Sequence, residues 1–510
     1  MTIEAVLTEI AQGAWNGGIP IDNSIFEGKG MYFKGNIPVN NKTIEERVGV
    51  RTRIAALPNE RIGVTAVENL LESSDIDPSK IRVVIGATNV GDDKYDKGPL
   101  IRYPYEIVRS HSPKAIVFDL YAGCPGFNVS VEMAFVLSLS GFLTTDDITL
   151  IVVAENLHRA QAFRPDDTAH IIFGDDAMAS ALKTRIHAHP SGSCESVRIP
   201  PFSPGSNQFL EIGRAIQKVV GTGRIDGIIV DNQLGKLEYR IPAVASRIQH
   251  SVVEQMYPER TKKGTFLKFK EALEFYDHHV RSFAFDIMTL DKNPETVEQI
   301  AKAYVRSGKY NTMVSVFLSD RWETRIAVHK GFGFQFEPPR MGVVDTLTQT
   351  HGCFADYIQA VADESDVFGE MNGKGVFLYA TRGAPTHLSR LLTRNRLSLE
   401  DVELLIEHQA NFAIIPMMLE QLFNGIHPDV KKAVSDFIAN KMATNIHVRG
   451  NCSVVCMLRL PYDLKRGVLH PDRIQGYEIN AGLDKLRDAR LVLRDSMGAG
   501  MTRSSFLQRT

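Results

Sequence analysis

The chain has few of the features that settle a sequence's class early. Five cysteines in 510 residues, Cys124, Cys194, Cys353, Cys452 and Cys456, make an odd and irregularly spaced set. That set suits neither a disulfide framework nor the paired Cys-x-x-Cys pattern of a structural zinc site. Cys452 and Cys456, four apart, have no histidine or second pair close in sequence, so they read as core filler and not as metal ligands. Charge imbalance is absent too: a formal net charge of −2 gives no reason to expect a nucleic-acid or anionic-membrane surface. Apolar runs such as Ile148 to Ala154 fall far short of the ~20 residues a membrane-spanning helix needs. The start, Met1-Thr2-Ile3-Glu4-Ala5, lacks the basic end and apolar block of a signal peptide, so a reducing, cytoplasmic setting is expected. Short repeats, low-complexity tracts and long charged linkers are missing as well. What is present, 44% hydrophobic and 23% charged residues, describes a globular chain long enough for two or more domain-sized cores.

Strand and helix signals alternate at both ends of the chain. Gly63 to Glu72 reads as a helix and Ile81 to Gly86 as a strand; a strand from Ala115 to Phe118 leads into a helix over Val129 to Leu139, and another strand runs from Ile148 to Ala154. The last part repeats the style with a helix across Leu388 to Leu397, a strand at Val402 to Ile406, a further helix, and strand material at Arg490 to Leu493. Such βαβ traffic predicts an α/β fold with mostly parallel sheets covered by helices. Between these parts, Gly227 to Val230 and Met313 to Leu318 read as strands. The alternation Gly331-Phe332-Gly333-Phe334-Gln335-Phe336 reads as a hairpin strand. A structureless loop of that length is unusual, so an ordered inserted subdomain is expected, capping the site or widening a dimer contact.

The run Phe118-Asp119-Leu120-Tyr121-Ala122-Gly123-Cys124-Pro125-Gly126-Phe127-Asn128 places Cys124 where a buried strand breaks into a helix. Unpaired amides and the positive end of the helix dipole favour the thiolate there, and the thiolate is the reactive form. Pro125 fits the first helical turn, where its missing N–H costs nothing. A small cysteine in an ordinary core helix is the plainer reading of this segment alone. Two distant segments favour the reactive one. Glu407-His408-Gln409-Ala410-Asn411-Phe412 follows a strand and precedes an apolar helix, and Arg449-Gly450-Asn451-Cys452-Ser453 enters another apolar stretch.

This combination resembles the thiolase superfamily, and most closely its β-ketoacyl-acyl-carrier-protein synthase III branch. The resemblance is carried, in the family's order, by Arg47-Val48-Gly49-Val50-Arg51, Ala122-Gly123-Cys124-Pro125-Gly126-Phe127, Phe173-Gly174-Asp175-Asp176-Ala177, His408-Gln409-Ala410-Asn411, Gly450-Asn451-Cys452-Ser453 and Ser496-Met497-Gly498-Ala499-Gly500-Met501-Thr502. It covers roughly residues 1 to 185 and 370 to 510. It implies a thiolase-like fold of two similar βαβ-rich halves, layered αβαβα, with a large insertion. The parts expected are an N-terminal half over 1–189 with the nucleophile, an inserted cap or interface subdomain over 190–365, and a C-terminal half over 366–510 with the histidine and asparagine.

By the same resemblance Cys124, His408 and Asn451 are the catalytic residues. Backbone amides of Cys124 and of the Gly498–Gly500 turn hold the oxyanion, and Arg47 and Asn411 bind substrate. No resident cofactor or metal is implied. Coenzyme A or acyl-carrier-protein thioesters are substrates, acyl and malonyl thioesters are the expected partners with an acyl carrier protein as a candidate, and the assembly is a homodimer that binds neither nucleic acid nor membrane. The expected chemistry is acylation of Cys124 followed by decarboxylative Claisen condensation. Acyl transfer to an alcohol or amine, condensation of two acyl thioesters without decarboxylation, and a non-catalytic partner subunit are the rival readings.

Departures from the pattern concern substrate recognition. Asp176 and Met178 stand where the family has glycines, Thr43 where a tryptophan often clamps coenzyme A, and Ala413 where a basic residue typically meets the carrier protein. The basic Arg260-Thr261-Lys262-Lys263 and Lys268-Phe269-Lys270 in the insertion read as a solvated face rather than a phosphate or carrier contact.

Overall fold

The computed structural model describes residues 6–91, 99–164, 167–185, 192–261, 268–362, 366–480 and 483–510. Its elements fall into three successive units of the same plan. The first contains strands β1 (Leu7–Ala14), β2 (Ile81–Ala87), β3 (Ile116–Tyr121), β4 (Ile148–Glu155) and β5 (Asp176–Thr184), with helices α1 (Ile62–Glu72), α2 (Arg102–Val108) and α3 (Gly126–Leu139). The second has β6 (Ser193–Phe202), α4 (Gln208–Val220), β7 (Gly227–Asn232), α5 (Val244–Met256), β8 (Phe283–Thr289), α6 (Pro294–Arg306), β9 (Thr312–Leu318) and β10 (Thr324–Phe332). The third has β11 (Gly342–Thr350), α7 (Gly373–Arg394), β12 (Leu404–Glu407), α8 (Ile414–Phe423), α9 (Val430–Lys441), α10 (Cys456–Lys465), β13 (Leu491–Gly498) and β14 (Thr502–Arg509).

The first two units share a ten-stranded sheet of order β1-β5-β4-β2-β3-β8-β7-β9-β10-β6, and the third forms a four-stranded sheet of order β11-β14-β13-β12. Within each unit the first strand pairs antiparallel with the last, the last two are antiparallel, and the next pairing is parallel. The parallel partner of the second strand follows: β3 beside β2, β8 beside β7, and in the third unit a single parallel bridge from Leu405 to Met442. The two similar halves expected from the sequence are therefore present. The middle segment, expected as a cap or an interface element, repeats their plan and continues the first sheet, while β11 already belongs to the third unit.

Helix α3 is apolar nearly all round, and each of its residues is buried. It lies between the two sheets, touching β2 and β4 on one side and β11 and β14 on the other. Of its few polar side chains, Ser130 Oγ donates within the helix to Gly126 O (2.7 Å), and Asn128 Nδ2 donates across to Ser504 O (2.7 Å) in β14, leaving Asn128 Oδ1 without a partner. Beside it α10 contacts both β5 and β12, so the main core is shared by all three units. The alternating phenylalanines behave differently from the hairpin expectation. Strand β10 ends at Phe332, which is exposed, whereas Phe334 and Phe336 pack onto this core, Phe336 edge-on to Phe135 (6.2 Å). Among the described residues no helix is long and apolar enough to cross a membrane, and no cluster of side chains is suited to a metal.

Candidate active site

Cys124 stands between β3 and α3, the only residue from Val117 to Leu139 that is not buried. The strand-to-helix break is made by Gly123, which has φ +69° and whose added Cβ would lie 2.5 Å from Ala499 N. Only glycine suits both the backbone angle and that approach. Pro125 takes the N-cap position, one residue ahead of the first helical turn expected for it. From the other side Gly498 packs its Cα against Cys124, since a Cβ there would sit 2.4 Å from Cys124 N. Gly500 turns the loop with φ +77° against Ser246. The amide of Cys124 and the Gly498–Gly500 turn are thus brought together, as an oxyanion site requires.

His408 and Asn451 reach the same place from the third unit. His408 directly follows β12 and donates its backbone N–H to Asp495 O (2.9 Å). Asn451 is clamped by the first unit: its N–H donates to Ile172 O (2.7 Å) and its carbonyl accepts from Gly174 N (3.1 Å). Gly174 permits this, because a Cβ there would lie 2.5 Å from Arg449 O. The Asn451 side-chain oxygen accepts from Ser453 N (2.8 Å). Its amide NH2 is thereby left as the group offered to the cavity. Cys124, His408 and Asn451 line one largely apolar cavity together with Phe163, Phe173, Leu237 and Ile241.

Three polar groups, Ser453, Asn89 and Glu155, escaped the sequence reading. Ser453 Oγ donates to Cys124 Sγ (3.2 Å), accepts from Asn89 Nδ2 (3.0 Å), and Asn89 in turn donates twice to the buried Glu155 (2.6 and 2.7 Å). Burial pushes the Glu155 carboxyl up to about 8 against the pull of the Asn89 hydrogen bonds, so it is mainly protonated at neutral pH. Cys456 is buried in the main core, as expected, with its Sγ 3.5 Å from that of Cys452 and 3.9 Å from Asn451 Oδ1. Burial alone would lower His408, but the charge and hydrogen bond of Cys124, reinforced by Cys456, outweigh it and hold the imidazole well above its ordinary value. Burial opposes ionisation of Cys456, yet hydrogen bonds from Cys452 and His408 bring its thiol down to about 5. A motif reader has no signal for Cys456 beyond its spacing from Asn451.

Other expected residues stand elsewhere. Arg47 is exposed, with its guanidinium 5.4 Å from the Phe33 ring centre, and Asn411 uses its side chain to accept from Ala413 N (2.9 Å); neither lines the cavity. Thr43 forms a capping box with Asn40, which gives it a local structural task. Asp176, the acidic departure, is paired with the buried Arg459 (2.7 and 2.8 Å). Lys262 and Lys263 lie outside the described residues; Lys268 and Lys270 pair at most with neighbouring glutamates on the surface, as a solvated face does.

No family model matches the chain. It is 27% identical over 248 residues to the β-ketoacyl-[acyl-carrier-protein] synthase III of Helicobacter pylori, covering 44% of this chain and 66% of that one, just under two thirds of its length. The same enzyme of Wolbachia pipientis is 25% identical over 244 residues, covering 44% and 67%. Among solved structures, the 3-oxoacyl-[acyl-carrier-protein] synthase III of Aquifex aeolicus superposes with a TM-score of 0.52 at 16% identity, covering 99% of this chain and 100% of that one. The β-ketoacyl synthase III of Thermus thermophilus gives 0.51 at 18%, covering 99% of each. In fold, and over part of its sequence, this chain is thus similar to the β-ketoacyl-acyl-carrier-protein synthases III.

Proposed function

We propose that the chain is a condensing enzyme that carries an acyl group on Cys124 and extends it with a malonyl thioester. The Cys124 thiolate attacks an acyl thioester, the oxyanion is held by the amides of Cys124 and the Gly498–Gly500 turn, and the carrier thiol leaves. A malonyl thioester then binds with its thioester oxygen facing His408 and Asn451. Loss of CO2 leaves the electron pair as an enolate, which those two donors stabilise. The enolate carbon attacks the acyl carbonyl, and collapse of the adduct expels the Cys124 thiolate with a β-ketoacyl thioester. The observation that carries this reading is the tether from Ser453 N to Asn451 Oδ1, which turns the amide donors of Asn451 toward the cavity shared with Cys124 and His408. The experiment is intact-protein mass spectrometry against a panel of acyl thioesters, followed by malonyl thioester with CO2 release measured. Acyl mass on Cys124 without CO2 release or a β-keto product would reduce the reading to simple acyl transfer.

A further inference from the structure

Residues of the middle unit stand in a twofold relation to those of the first. Strands β3 and β8 run antiparallel with Asp119 opposite Met288, Leu120 opposite Ile287 and Tyr121 opposite Asp286. Exchanging Asp119 with Asp286, Leu120 with Ile287 and Tyr121 with Met288 leaves this register unchanged, so its centre is the Leu120–Ile287 pair. The strand order on either side obeys the same exchange: β3-β2-β4-β5-β1 in one direction and β8-β7-β9-β10-β6 in the other. A trace survives in the sequence, Phe118-Asp119-Leu120 against Phe285-Asp286-Ile287.

The two aspartates do the same work. Asp119 accepts from Leu100 N (2.6 Å) and Ile101 N (3.0 Å), just ahead of α2, the helix that follows the second strand of its unit. Asp286 accepts from Val244 N (2.7 Å) and Ala245 N (2.8 Å), at the start of α5, the helix in the corresponding place. Such agreement of order, register and capping is what two copies of one unit would give on meeting through an isologous contact. Without β8, strand β3 would be an open edge directly behind the nucleophile.

The middle copy has no nucleophile: five residues beyond Asp286, where Cys124 stands relative to Asp119, is Asp291. What it does bring is the turn after β7, where Leu237 and Ile241 are buried against Val90, Phe163, Phe173 and Ala499 and line the cavity of Cys124. The geometry points to residues 193–332 as a chemically silent second copy of the first unit, which closes the β3 edge within one chain and sets, through Leu237 and Ile241, the length of acyl group that Cys124 can hold. The site is then complete in a single chain, and β3 offers no edge to another copy. The acyl part of this inference rests on the reading of Cys124 as an acyl carrier.

The test uses alkyl methanethiosulfonates of increasing chain length as a ruler on the full-length protein. The thiolate of Cys124 attacks the sulfenyl sulfur, a disulfide forms and methanesulfinate leaves, so no acyl chemistry is needed; peptide mass locates the adduct. Leu237→Ala and Ile241→Ala should accelerate the longest reagents by about tenfold or more relative to the methyl reagent, the scale of one or two methylenes in an apolar pocket. Leu237→Trp should slow them, and Ile326→Ala, in the same unit's core but off the cavity, should leave the profile unchanged. Folded variants with the wild-type length profile would overturn the inference. The same variants are loaded in parallel with acyl thioesters of matching length. A shifted reagent profile without any thioester loading would sink the condensing function and leave the wall assignment standing, and loading with an unchanged profile would do the reverse.

Discussion

Ser453 Oγ donates a hydrogen bond to Cys124 Sγ across 3.2 Å. It does so from a residue held at φ +50°, a region that side chains other than glycine seldom occupy. The hydroxyl is kept in place from behind by the buried Asn89 and Glu155, so Cys124 ends a chain of four polar groups. A hydrogen bond to a charged group contributes about 1.5–3 kcal/mol. Ser453→Ala should therefore slow alkylation of Cys124 by iodoacetamide at pH 7 about tenfold or more, while the circular dichroism spectrum stays that of the parent. An unchanged alkylation rate would mean that the hydroxyl does not serve the thiolate.

The roles assigned to the three facing residues separate by half-reaction. Cys124→Ala should acquire no acyl mass and keep its fold, because the sulfur contributes little packing at a site that is not fully buried. His408→Ala and Asn451→Ala should still acquire it and lose condensation on the order of 10²-fold or more, as expected when one preorganised donor to an oxyanion is removed. The measurement is acyl mass and β-keto product on the same sample. Loss of acylation in His408→Ala would instead assign that imidazole to activation of the thiol, which its contact with Cys124 makes chemically reasonable.

Glu155 gives a pH test that needs no substrate. Its carboxyl is raised from an ordinary 4.5 to about 8 by burial. Between those values the folded chain holds a proton that the unfolded chain has lost, so folding takes up a proton and stability falls as pH rises. The contribution is fully present below the unfolded value and gone once pH passes the folded one. The slope from one such group is at most about 1.4 kcal/mol per pH unit. Glu155→Gln keeps the shape and removes the titration, so its urea midpoint should fall less steeply than the parent's from pH 5 to 8. Parallel curves would show that Glu155 does not carry the proton.

Much of the site was legible because its chemistry sits at element ends with strong local signals. Cys124 after β3, His408 after β12 and Asn451 ahead of α10 each follow an apolar strand or turn into an apolar helix, and glycines mark the close approaches. The supporting Asn89, Glu155 and Ser453 were not legible, since they are ordinary polar residues that meet only across the fold. That the middle segment is ordered was legible, but its place in the first sheet was not, for a similar reason. Strand pairing is nonlocal, and nothing in Gly227–Asn232 or Phe283–Thr289 alone says that β8 will pair with β3. Its period-two phenylalanines suggested one more strand, but Gly333, at φ +79°, bends the chain after β10 and sends Phe334 and Phe336 into the core.

The acidic departure at Asp176 carries its own compensation in Arg459. Arg459 is buried, and its guanidinium reaches both Asp176 oxygens and the Trp15 carbonyl. Burial works against the charged guanidinium, but Asp176 opposes that and holds it above its ordinary range. Removing one member of such a pair strands the other, which typically costs about 3–5 kcal/mol, whereas replacing both with apolar groups costs far less. Arg459→Met alone should therefore lower the denaturation midpoint strongly, and Arg459→Met with Asp176→Leu should recover much of the loss. The double-mutant cycle measures the coupling directly. Additive losses would show that Asp176 is tolerated for a reason other than Arg459.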